Sequence, residues 1–118
     1  MSHEQSTLIK DDLLVLKTSA IQQTGTVTST GVAIGPTGLV KAVIVVSVVA
    51  IGGTLDVHLE DHDDNAGGTD IPSAVFPQII ATGIYELYFR TVQKYVRYVG
   101  IVGTAAVTWE MFVTTVEK

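Results

Sequence analysis

Between Val40 and Leu59 the chain reads VKAVIVVSVVAIGGTLDVHL, two strands hinged at Gly52-Gly53. Ala42 to Ile51 is apolar except for Ser47 and dominated by Val and Ile. Their branched Cβ loses rotamer freedom in a helix but packs well on a pleated surface, so a buried strand is predicted there. From Thr54 the pattern becomes strict alternation. Leu55, Val57 and Leu59 fall on one face and Asp56, His58 and Glu60 on the other, as a half-buried strand requires.

The rest of the chain extends the same pattern. Leu13 to Lys17, continued by Ala20 to Gln23, is a strand candidate. Thr26 to Ile34 is another, with Gly31 as a bulge or bend. Gly35-Pro36-Thr37-Gly38 is a turn, since Pro fixes φ and Gly permits positive φ. Asp61 to Asp70 carries Asp, Asn and Gly and reads as an exposed loop. Ser73 to Ile80 contains Pro77, which cannot donate to a ladder and demotes the segment to an edge or irregular strand. Ile84 to Arg90, Tyr95 to Val102 and Ala106 to Val116 complete the set.

About eight strands at intervals of roughly 8 to 12 residues predict an all-β, antiparallel two-sheet β-sandwich of jelly-roll type. Composition agrees, because 43 of the 118 residues are Val, Ile or Thr. Residues 13–118 form the predicted sandwich domain and residues 1–12 an N-terminal arm. Glu4 to Leu16 is the one segment open to a helix, although its weak pattern fits an ordered arm equally well.

A chain of this length can bury a core without staples, and the absence of Cys excludes disulfides and thiol chemistry. It is also compatible with folding in a reducing cytosol. The net charge of -5, with seven Lys and Arg, argues against nucleic acid as a partner. The N-terminus lacks the basic start and apolar core of a secretory signal. The run from Ala42 is half the roughly 20 residues that a membrane-crossing helix needs, so no membrane partner is expected.

Candidate chemistry is sparse. Glu60 to Asn65 holds the carboxylates best suited to a hard cation, with Asp61, Asp63 and Asp64 as weak Ca²⁺ candidates. The spacing lacks the central Gly and terminal Glu of an EF-hand, so a solvated loop and no metal are expected. His3, His58 and His62 lie on an arm, a strand and a loop, too scattered for a transition-metal set. Ser47 and Ser73 have no motif around them. Asp56, Glu86 and Glu110 lie on strands, but a sugar-cleaving pocket is demanding in a small domain. The expectation is a non-enzyme without cofactors.

Four residues stand out as structural or interface candidates: Arg97, Tyr98, Trp109 and Phe112. Arg97 shares a face with Tyr95, Val99 and Ile101. Its guanidinium either pairs with a strand acid, for which Asp56, Glu86 and Glu110 are available, or snorkels from a sheet edge over Tyr rings. Trp109 and Phe112 face opposite sides of the last strand. One of them is therefore expected to meet the arm or a partner subunit rather than the inter-sheet core.

Several of these segments occur in a telling order. The long aliphatic strand, Gly53-Thr54-Leu55-Asp56-Val57-His58-Leu59, a loop ending in Thr69-Asp70-Ile71, Tyr95-Val96-Arg97-Tyr98-Val99, and a Gly-Thr turn into Val107-Thr108-Trp109 together resemble small virion proteins of tailed bacteriophages. More narrowly, Val40 to Val116 is similar to the jelly-roll cement, or decoration, proteins of phage heads. The resemblance implies a protein made in the host cytoplasm that ends on the capsid exterior. It also implies a homo-oligomer, dimer or trimer, that bridges neighbouring subunits of the major capsid protein. The rival reading is a carbohydrate- or receptor-binding module of a phage tail, which the single Trp and four Tyr make less suited to stacking on sugars.

Overall fold

The computed structural model describes residues 14–34 and 38–116. It is an all-β sandwich of two antiparallel sheets with a jelly-roll-like arrangement. In chain order the strands are β1 (Leu14–Gln22), β2 (Gly25–Thr28), β3 (Val32–Ala33), β4 (Gly38–Val49), β5 (Thr54–His62), β6 (Thr69–Val75), β7 (Gly83–Thr91), β8 (Tyr95–Gly103) and β9 (Val107–Thr115). One sheet runs β1-β9-β4-β7. The other runs β2-β8-β5-β6, with β3 also paired to β8.

Alternation builds the core. Val40, Ala42, Ile44 and Val46 of β4 point inward from one sheet, and Leu55, Val57 and Leu59 of β5 point inward from the other. Each of the Val, Ile and Leu side chains among them stabilises the fold by about 1.5–3 kcal/mol on burial. Trp109 is fully buried at the centre and meets Tyr98 edge to face, with ring centroids 5.1 Å apart and planes at 75°. Gly100 makes this contact possible, since a Cβ there would lie 2.7 Å from Trp109 Cζ2.

Several expectations shift. The run from Ala42 belongs to a strand that begins at Gly38, and only its inner face is buried. Val43 and Val45 sit half-exposed on the outer face, which no third layer covers among the described residues. A bulge at Ser47 then turns Val48 outward. Thr26 to Ile34 is broken into β2 and β3, which share one flank of β8. The Gly31 amide between them donates to the Asn65 carbonyl at 3.0 Å. The edge strand expected at Ser73 to Ile80 lies earlier in the chain, as β6 from Thr69 to Val75, and Pro77 falls beyond its end. Leu14 to Leu16 are in β1, not a helix. The 1–12 arm and most of the Gly35 to Gly38 turn lie outside the described residues.

Candidate functional site

The outer face of the five-stranded sheet carries a polar row. Because β5 runs on to His62, Glu60 is a strand residue that stands directly between Arg97 of β8 and Asp70 of β6. Arg97 Nε donates to Glu60 Oε1 at 2.7 Å. Arg97 therefore does pair with a strand acid, but not with Asp56, Glu86 or Glu110. Asp56 accepts from Gln78 and Glu86 pairs with Lys41. Gly68 crosses close above the Arg97 pair, where a Cβ would overlap both the Glu60 carboxylate and the guanidinium.

His58, two residues before Glu60 on the same face, places Nε2 3.5 Å from Glu60 Oε2 and 3.5 Å from Asp70 Oδ1. Burial pushes the Glu60 carboxyl up, but the hydrogen bond and charge of Arg97, helped by the neighbouring Asp70 and His58 side chains, outweigh it. The net effect holds Glu60 below the ordinary carboxylate value.

The acidic loop is shorter than the sequence suggests, closing from Asp63 to Gly68. Asp61 lies on β5 and accepts from the Thr91 hydroxyl at 2.6 Å. Asp64 Oδ1 accepts from the amides of Ala66 at 2.9 Å and Gly67 at 3.0 Å, which fastens the turn. The Ala66 amide above all, with lesser help from His62 and the Gly67 amide, holds the Asp64 carboxyl low against an opposing effect of desolvation. Asp63 and Asp64 gather around His62, whereas Asp61 is not part of that group. The three weak Ca²⁺ candidates are thus not brought to one point.

At one open edge of the sandwich, β1 and β2 flank a groove of about 470 Å³ lined by Lys17, Gln22, Thr26 and Tyr98 among others. Gln22 is buried and acts as a three-way tie beneath it. Its Nε2 donates to the carbonyls of Gly100 at 2.9 Å and Gly25 at 3.2 Å, and its Oε1 accepts from Trp109 Nε1 at 3.1 Å. Lys17 Nζ donates to the carbonyls of Trp109 at 2.8 Å and Ala20 at 3.0 Å and lies 4.8 Å above the indole. Burial lowers the Lys17 pKa, partly countered by Glu110, and burial raises that of Tyr98. Gln22 and Lys17 gave no signal in the sequence, where they look like ordinary polar residues of an edge strand.

Phe112 faces away from Trp109, as alternation requires. It sits on the outer face of the four-stranded sheet in a row with Val15 of β1 and Val43 of β4. Exposed Ile84 and Tyr88 of β7 extend this surface around the Lys41–Glu86 ion pair, whose N···O distance is 3.3 Å. Where β4 ends and β7 begins, the tip of the sandwich presents Val48, Ile51 and Ile80. Ile51 is 99% exposed and Ile80 67%.

No protein-family model matches the sequence, and no curated protein does. The fold, by contrast, has many solved counterparts. The PBSX exported protein XepA superposes with a TM-score of 0.62 at 16% identity, over 86% of this chain and 36% of that one. This chain thus spans about a third of the length of XepA. The SPBc2 prophage-derived protein YomS gives 0.55 at 13% identity, over 87% of this chain and 91% of that one. The CBM22-1-GH10 modules of Clostridium thermocellum xylanase 10B, complexed with xylohexaose, give 0.54 at 10% identity, over 92% of this chain and 27% of that one. At these identities the likeness establishes the β-sandwich alone.

Proposed function

We propose that this protein is a non-enzymatic structural component of a tailed-bacteriophage virion that decorates the capsid exterior and bridges subunits of the major capsid protein. The observation that carries the reading is the apolar surface running from Phe112, Val43 and Ile84 to the tip residues Val48, Ile51 and Ile80. A concentration of exposed apolar side chains on one face and tip favours a protein partner over solvent. The sandwich shared with prophage-derived YomS and with XepA supports the same reading, as does a net charge of -5, unsuited to packaged DNA.

The two parts of the surface serve different partners. The sheet face around Phe112 combines Val15, Val43, Ile84 and Tyr88 with the Lys41–Glu86 pair, Glu110 and Arg90, a mixed surface that suits self-association in a closed dimer or trimer. The tip then contacts the capsid, with the segment 1–12 reaching a neighbouring subunit. Co-sedimentation of the purified full chain with capsids that lack it tests this directly. Retention by wild type, and its loss in Ile51→Asp with Ile80→Asp, is expected. Equal retention of the double variant would remove the tip from the account.

A second reading is favoured by one feature, the groove beside Tyr98. Its volume falls within the roughly 300–1,000 Å³ of small-ligand sites. Binding of soluble oligosaccharides, lost in Tyr98→Ala, would promote a carbohydrate-binding role over capsid decoration.

A further inference from the structure

We infer that His58, Glu60 and Asp70 form a binding site for a divalent cation of the zinc class on the outer face of the five-stranded sheet. The three donors come from two adjacent strands. His58 and Glu60 share a face of β5 by their spacing of two, and Asp70 stands opposite Glu60 on β6. Between the His58–Val75 and Glu60–Asp70 pairings β6 carries a bulge that includes Pro72, and bulges of this kind re-aim side chains.

The distances favour a cation over a simple ion pair. His58 Nε2 is 3.5 Å from each carboxylate oxygen, whereas a charge-assisted N–H···O bond closes to about 2.7–2.9 Å. Ligands about 2.0–2.1 Å from a tetrahedral metal lie about 3.3–3.4 Å from one another, close to the spacing here. Glu60 and Asp70 would supply two carboxylate donors to a dication, and the imidazole of His58 the third. An imidazole donor among the three selects zinc, cobalt or nickel over calcium or magnesium.

Arg97 is the orienting partner. It holds Glu60 Oε1 at 2.7 Å and so leaves Oε2 directed at His58. Hydrogen bonds to a ligating carboxylate fix its position in this way, and their loss weakens metal binding by about 10–100-fold. The three protein ligands leave a fourth position, on the side of exposed Asp70, for water.

The test uses the full chain carrying His3→Ala, so that the terminal amine and His3 add no competing site. Calorimetric titration with Zn²⁺ at neutral pH should give one site per chain. Cobalt should give the visible bands of tetrahedral coordination, and Zn²⁺ should raise the melting temperature until chelator is added. His58→Ala should abolish all three signals, Asp70→Asn should weaken binding at least about tenfold, and Arg97→Lys should weaken it by about 10–100-fold. His62→Ala should leave binding unchanged. Asp70 is 77% exposed, so its variant folds and isolates ligand loss from unfolding. No heat with Zn²⁺, or binding that survives His58→Ala or disappears with His62→Ala, would overturn the assignment.

Discussion

Replacing Gln22 with Met keeps the length of the side chain and removes its amide. Trp109 Nε1 then loses its acceptor at a residue with no exposed surface, where water cannot substitute. An orphaned buried donor costs about 1–3 kcal/mol, and the lost bond to the Gly100 carbonyl adds about 1 kcal/mol. The Gly25 carbonyl lies at the exposed start of β2 and can turn to solvent. The expected loss is therefore about 2–4 kcal/mol. For a domain of this size that corresponds to a drop of about 8–16 °C in melting temperature. Urea unfolding followed by the fluorescence of Trp109, the only tryptophan, measures it directly, with an unchanged m-value showing that stability alone has moved. Gln23→Met, one residue along and exposed, should stay within about 0.5 kcal/mol of wild type. A loss below about 1 kcal/mol in Gln22→Met would refute the argument that this tie is sealed from water.

Three further outcomes follow from the same geometry. Burial raises the Tyr98 pKa, so its contribution to stability is full below the unfolded value of about 10 and is lost as pH rises through the folded value. Tyr98→Phe should flatten that alkaline decline in denaturation curves, and an unchanged slope would contradict the assignment. Millimolar Ca²⁺ should leave the melting temperature where it is, because Asp61 is bound to Thr91 and Asp64 to the loop amides. A rise of several degrees that Asp63→Ala abolishes would show otherwise. Phe112→Glu should leave folding intact and convert a dimer or trimer to monomer in light scattering, whereas a wild-type monomer at high micromolar concentration would end the self-association reading.

The two-sheet fold was legible because alternation survives wherever one face is wet. Leu55, Val57 and Leu59 announced β5, and the opposition of Trp109 and Phe112 was correct. The partner of Arg97 was not legible. Choosing Glu60 over Asp56 required knowing that β5 continues through His62 and that its register sets Glu60 opposite Arg97. Cross-strand register depends on turn geometry and on bulges, such as those at Ser47 and in β6, which leave little trace in composition. The meeting of His58 with Asp70, twelve residues away, was hidden for the same reason. Gln22 was invisible because its role depends on a glycine 78 positions later that lets Trp109 approach.

The proposed role, holding a capsid shell together from outside, is tested by the DNA retained in heated capsids that lack the protein, with and without the purified chain added back. Many weak contacts that favour the closed shell stabilise it by linkage. Full-length protein should therefore raise the temperature of DNA release, the chain starting at Leu13 should raise it less, and Phe112→Glu should lose most of the gain. Capsids that neither bind the protein nor release DNA at a higher temperature would contradict the account.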